Sequence, residues 1–488
     1  MSRTQSTHTG PPAHSSWSLF EIISNVWLRH HQWLVPLVGS IEFGLLSVYL
    51  GQDINWDLRN YHYYNPYAFL HGRWGIDHIP AMTMTFFNPL ADLPFYFLVS
   101  TLSPPWVGFW MGAIHGLNFG LIYWIALLLF SKESAPMQML LALLTANCAM
   151  TGAVGISELG TTFNDNFVSL PVLAALWLLV RSLHRFGDVS KRVWFGCAGL
   201  LGFGAGLKAT TLIFAIGFLA AMVCVRRSPK TWLSGFALWM AGILAGASIS
   251  YGFWGYRLWR DYGNPVFPLM NAVFKSPFFI HENISYVIYH PQNALQTWLF
   301  PFYFSVRQHL VSELFFRDAR LASVYVLLLV WTVTSFIKLR WGNKRPGGPL
   351  DLSSGEISMK LFGFLVVFYV TSYGIWQRFY TTYRFAVVLE MTSVILIAAF
   401  LHQIIRWRNL RNALFAVLVL FLMGWTQPMD WGRLPWGRSF FGSEVPALPD
   451  PDHTLILLAP PRAQPPMCLH DPGLSARRPV HSVGSHVP

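Results

Sequence analysis

Acidic residues are scarce. Asp and Glu together number 22 among 488 residues, and all charged types make up only 11% of the chain. A soluble globular domain carries roughly 25%, so a surface exposed to water on all sides is excluded. Cysteine is rarer, with four residues; Cys148, Cys197 and Cys224 lie inside apolar segments and Cys468 stands alone. That excludes a disulfide framework and a cysteine metal site. No internal repeat is visible. The first apolar run starts late, follows WLRHHQ and lacks a small-residue cleavage site, so no cleavable signal is expected. No His pair has metal-ligand spacing, and His62, His71, His78 and His115 read as interface or packing residues.

What the chain has in quantity is apolar surface: 53% hydrophobic and 16% aromatic residues, with mean hydropathy +0.41. The expected fold class is an all-α polytopic membrane protein. Crossing a bilayer takes about 20 apolar residues, and on that measure about eleven spans are expected. They fall at 33–50, 106–130, 137–155, 167–184, 194–207, 208–225, 231–250, 320–338, 359–376, 383–404 and 410–425. A net charge of +12 would suit a nucleic-acid partner, but the cations collect in alternate loops. These are Arg29; Lys132; Arg181, Arg185, Lys191 and Arg192; Arg226, Arg227 and Lys230; Lys338, Arg340, Lys344 and Arg345; and Arg406, Arg408 and Arg411. That is the positive-inside pattern. The expected partner is therefore a bilayer and not nucleic acid, with the basic loops cytoplasmic and the others on the periplasmic side of a bacterial inner membrane.

The domain reading follows. Residues 1–32 form a cytoplasmic N-terminus whose first 16 residues are disordered, and 33–425 form the membrane domain, with outer loops at 51–105 and 251–319. Residues 426–488 form a periplasmic tail: 453–459 is strand-like, and 460–488 reads as disordered or truncated. Counting 88–102 as a span would move the basic loop 181–192 outside, so it reads as an interfacial helix. GFGAGLKATT interrupts nearly 30 apolar residues, and two short helices are expected to meet near Lys208 on the outer side. Gly263, Pro265 and Pro268 forbid a regular helix in the stretch 260–279.

The densest polar stretch, 51–94, carries Asp53, Asp57, Arg59, His62, Asp77, His78 and Asp92 among many aromatic rings. SELGTTFNDNF adds Glu158 and Asp165, and IWQRFYTTYRF adds Arg378 and Arg384. Carboxylates, cations and rings at a membrane rim suit transfer of a sugar from a lipid phosphate. An ionised Asp takes the acceptor proton, Arg or Lys neutralises the departing phosphate, and rings stack on the sugar. Plainer readings stand beside these. Asp57 also fits the N-cap of a helix starting at Leu58, and Asp165 the cap of a span. Asp53 reads as a solvated or helix-end carboxylate, and Lys208 and Arg384 also fit interfacial anchors.

WDLRNYHYYNPYAFLHGR at 56–73 resembles the first-loop motif of GT-C superfamily membrane glycosyltransferases, the protein O-mannosyltransferases and lipid A aminoarabinose transferases. Asp57, Tyr61 and Gly72 match it; Asn88-Pro89-Leu90 resembles the family's Pro-Leu element, GLKATT its Gly-x-x-x-Lys stretch, and GNPVFP a loop signature of some members. The resemblance covers about 50–400. It implies a polyprenyl-phosphate-sugar donor, a lipid, glycan or protein acceptor, and an inverting transfer. Asp57 is then the catalytic base and Asp165 its acidic partner, with Arg59, Tyr61, Lys208, Arg378 and Arg384 on the donor phosphate or substrate. A divalent cation would have Asp53, Asp57 and Asp165 as candidate ligands, but hard cations need several oxygens. Where many relatives have a second acidic residue after the loop Asp, this chain has Leu58. Two other functions use the same features. An O-antigen polymerase or ligase would lean on Arg307 with His309, or on Arg257 with Arg260; a secondary transporter would need a midplane site on broken helices.

Overall fold

The computed structural model describes residues 19–77, 80–225, 229–282, 289–306, 310–341, 357–442, 447, 449–450, 456–458 and 480–482. Expectations placed on 1–16, His78, Arg226, Arg227, Arg307, His309, Lys344, Arg345 and most of 460–488 lie outside the described residues. The main helices are α1 (Leu19–Leu50), α2 (Pro104–Leu129), α3 (Ala135–Met150), α4 (Asp165–Phe186), α5 (Lys191–Leu207), α6 (Leu212–Ala221), α7 (Pro229–Tyr262), α8 (Arg320–Trp341), α9 (Met359–Phe379), α10 (Val387–Ile404) and α11 (Arg408–Trp425). Two three-residue strands, Ile456–Leu458 and Val480–Ser482, pair in parallel.

Each stretch expected as a span is helical over most of its length, but seven helices among the described residues have the length and apolarity to cross a membrane. These lie in α1, α2, α4, α7, α8, α9 and α10, whereas α3 and the stretch Ala209–Cys224 are apolar but shorter. Helix α10 is the axis of the bundle. It is apolar around most of its circumference, with Glu390 as its one carboxylate, and every residue from Val387 to His402 is buried, as such a pattern demands. Elsewhere glycines let helices approach closely. An added Cβ at Gly246 of α7 would fall 1.9 Å from the Gly199 carbonyl oxygen of α5, and one at Gly112 of α2 would fall 2.6 Å from that of Phe43 on α1. Close backbone approach of this kind substitutes for the hydrophobic drive that is missing between helices in lipid.

Several boundaries differ from expectation, each for a local reason. Helix α1 begins at Leu19, not 33, because Leu19, Ile22, Ile23 and Val26 already recur at helical spacing. Helix α7 runs on to Tyr262 and carries Arg257 and Arg260, which were expected in an outer loop, since no breaker occurs before Gly263 at φ 69°. The expected span 137–155 stops at Met150 and restarts as the short helix Ala153–Ser157. Glu390 forces that break: its carboxylate accepts the N–H groups of Val154 (3.0 Å) and Gly155 (2.9 Å), while Asp318 accepts that of Ala153 (3.0 Å). Two carboxylates thus satisfy the open first turn of this helix. Residues 88–102 form a 3-10 turn, Pro89–Ala91, and a nine-residue helix, Leu93–Thr101, too short to span. The chain after Trp425 is no separate tail at first. It returns through backbone pairing of Gln427 with Arg317 and of Leu434 with Gln52.

Candidate functional site

The first loop leaves α1 at Gly51, φ 100°, and turns at once into the protein. Asp53 is buried, not solvated: it accepts the backbone N–H and side-chain amide of Asn55 and the N–H (2.9 Å) and hydroxyl (3.0 Å) of Thr162. It therefore ties the first loop to the second. Asp57 then opens a five-residue π-turn, Leu58–His62, and makes no capping hydrogen bond. Its carboxylate is taken instead by Arg384, whose Nη1 lies 2.9 Å from Oδ2, and by the Tyr61 hydroxyl. Burial pushes the Asp57 carboxyl up, but the Arg384 guanidinium, the His62 ring and the two hydrogen bonds outweigh it and hold the group below its usual range. Burial and the adjacent Asp57 push the Tyr61 phenol well up. Tyr61 therefore stays a donor.

The second loop contributes Asp165, the first residue of α4. Asn164 before it is left-handed, at φ 67°. Lys208 lies in extended backbone between α5 and the turn Ala209–Thr211, where the helix break predicted from GFGAGLKATT occurs. Its Nζ lies 2.6 Å from Asp165 Oδ1 and 2.9 Å from the Phe163 carbonyl oxygen. Two rings join the pairs: Arg384 lies 4.8 Å over Phe163 and 5.3 Å over Phe385, and Lys208 lies 5.3 Å over Phe385. Glu158 is close enough to feel Asp165, Lys208 and Arg384, and neither of its buried oxygens has a hydrogen-bond partner among the described residues. Burial pushes the Glu158 carboxyl well up and Asp165 adds to it, against the pull of Lys208 and Arg384. The environments of Asp57 and Glu158 thus push their carboxyls in opposite directions, Asp57 down and Glu158 up.

Of the residues singled out in the sequence, Asp57, Tyr61, Asp165, Lys208 and Arg384 gather here. Arg378 does not: it is exposed at the end of α9 and stacks 5.5 Å over its neighbour Phe379, as a snorkelling side chain does. Arg59 is half-buried and forms no ion pair among the described residues. Asp77 is a structural clamp, accepting from the Tyr64 hydroxyl (2.6 Å) and Arg73 (2.8 Å). The candidate cation ligands Asp53, Asp57 and Asp165 are each engaged elsewhere, and among the described residues no three His, Cys, Asp or Glu side chains converge on a metal-sized site. Arg257 and Arg260 pair with Asp261. The sequence points to none of three further contributors as site residues, although His62 and Asp92 both stand in its densest polar stretch. One is Arg433, which donates to the carbonyls of Gly51 (3.1 Å) and Ser157 (3.1 Å); the others are His62 and Asp92, which meet at 2.7 Å.

Comparison with protein-family models, curated proteins and solved structures finds no match. The apolar helices fit a multi-pass protein whose partner is a bilayer, with a paired-charge cluster at one end of its bundle.

Proposed function

We propose that the chain is a membrane glycosyltransferase that moves a sugar from a polyprenyl-phosphate donor to a lipid, glycan or protein acceptor. It works on the periplasmic face of a bacterial inner membrane, with about eleven spans and its N-terminus inside. The observation that carries this reading is the pairing of Asp57 with Arg384 and of Asp165 with Lys208 around Phe163 and Phe385. These groups come from four separate stretches of chain. Two cations beside rings suit a phosphate and a sugar, and a carboxylate kept ionised suits an acceptor hydroxyl. In this reading Arg384 and Lys208 exchange a carboxylate for the donor phosphate, and Asp57, so released, aligns the acceptor.

The test uses purified protein in nanodiscs and a panel of undecaprenyl-phosphate monosaccharides, scored by release of undecaprenyl phosphate. One donor is expected to be consumed. Arg384→Gln should weaken undecaprenyl phosphate binding about ten- to a hundredfold, the equivalent of one charge-assisted hydrogen bond. A silent panel with no binding of undecaprenyl phosphate would remove the transferase reading.

A further inference from the structure

His62 and Asp92 are joined by tertiary structure alone, thirty residues apart. Both are buried, with His62 Nδ1 2.7 Å from Asp92 Oδ1. Asn164 donates its side-chain amide to the same oxygen, so the second loop fixes this carboxylate. The turn that carries Asp92 is itself pinned, because the Asn88 side-chain amide donates to the carbonyls of Gly206 (2.7 Å) and Ser250 (2.8 Å). Two residues beyond Gly206 stands Lys208. The dyad is thus built into the same frame as the ion pairs.

The winding of the first loop gives the dyad its place. In an α-helix, five residues carry a side chain about 140° past one full turn, which would turn His62 away from Asp57. The wider i→i+5 turn over Leu58–His62 brings the two onto one side. The His62 ring lies 4.2 Å, centroid to centroid, from that of Tyr61, whose hydroxyl holds the Asp57 carboxylate. Contact between Nδ1 and an ionised carboxylate requires the proton on Nδ1. In the neutral ring Nε2 is then the nitrogen that accepts. It is buried without a hydrogen-bond partner among the described residues, a condition that is unfavourable unless another group completes it.

We propose that His62 Nε2, oriented by Asp92, receives the acceptor's proton, while Asp57 accepts the hydrogen bond that aligns the same hydroxyl. This rests on the transferase reading above. The acceptor oxygen forms its bond to the anomeric carbon as the bond from that carbon to the phosphate oxygen breaks. The electron pair leaves on polyprenyl phosphate, and the acceptor proton ends on the imidazole. Asp57 keeps the Tyr61 hydroxyl on its carboxylate after Arg384 has turned to the phosphate, so it orients the acceptor and leaves the proton to the imidazole.

Two measurements test the proposal. In protein labelled with ¹⁵N-histidine, with His62→Gln used to assign the resonance, the neutral fraction of His62 should carry its proton on Nδ1. Asp92→Asn should move that proton to Nε2. An Nε2-protonated ring in the unaltered protein overturns the dyad whatever the substrate is. With the donor identified from the undecaprenyl-phosphate panel, His62→Gln should lower turnover at least about a hundredfold, and Asp92→Asn about ten- to a hundredfold. Undecaprenyl phosphate affinity should stay within about twofold of the parent, since neither residue touches the phosphate. Unchanged turnover in folded His62→Gln overturns the proposal. A silent panel without undecaprenyl phosphate binding overturns the transferase reading instead, and the tautomer then decides for or against the Asp92-oriented dyad by itself.

Discussion

At the scale of single residues, the site is held by charges that satisfy one another. Asp57 and Arg384 are both mostly shielded from water, with side chains 13% and 22% exposed. Removing either alone strands the other, whereas removing both leaves no lone charge. Asp57→Asn and Arg384→Gln are each expected to destabilise the protein by about 1–3 kcal/mol, and the double variant by less than the sum. Thermal unfolding in detergent measures the difference, and strict additivity would mean the pair contributes nothing. Glu158 tests the opposite case. Its folded carboxyl is raised above the ordinary 4.5, so the folded protein holds a proton that the unfolded chain releases. Stability from this group is complete below about pH 4.5 and is lost as pH rises through the raised value. Asp57, with a depressed carboxyl, acts in the other direction and loses its contribution only as pH falls below the ordinary carboxylate range. Glu158→Gln keeps the shape of the protonated acid. It should flatten the fall in Tm as pH rises above the ordinary 4.5 and be at least as stable as the parent at high pH; a variant that melts earlier at every pH would show that Glu158 works as a carboxylate.

At the scale of elements, the break after α3 governs how the second loop is aimed. The short helix Ala153–Ser157 exists because Glu390 and Asp318 meet its first N–H groups, and Arg320 binds both Asp318 and the Cys148 carbonyl, 2.8 Å away. Gly152 makes room for this: a Cβ there would lie 1.9 Å from Glu390 Oε1. Gly152→Ala is expected to cost about 1–3 kcal/mol by overpacking and to lower activity more than Gly196→Ala, where an added Cβ meets nothing. Equal Tm values for these two variants would contradict the assignment. Glycine is also required at Gly160, φ 70°, whose N–H donates to His115 Nδ1 at 3.1 Å. That contact gives His115 a role beyond packing.

At the scale of the whole molecule, the site groups lie where α1 and α5 end and α4 and α10 begin, while the turns between α2 and α3, α4 and α5, and α10 and α11 lie at the other end. Glu133 marks that second end, binding Arg408 at 2.6 Å and Arg411 at 2.9 Å. Ser190 and Ser439 are exposed at opposite ends. In a protein otherwise free of reactive cysteines, Ser190→Cys should label only from the cytoplasm and Ser439→Cys only from the periplasm. Labelling of both from one side would invalidate the topology. The helical class, the positions of the apolar stretches, the break at Lys208 and the polarity of the first and second loops were legible in the chain, because hydropathy, glycine and charge act over a few residues. Asp57, Asp165, Lys208 and Arg384 could also be picked out, as ionisable groups at the ends of apolar runs. Which carboxylate meets which cation could not be read. The Asp57–Arg384 pair spans 327 residues, and no local pattern encodes a contact at that separation. The exposure of Arg378, the burial of Asp53, the return of Arg433 and the meeting of His62 with Asp92 were decided the same way. Each depends on the packing of helices around α10 and on the need to satisfy every buried polar group from whatever segment packing brings near.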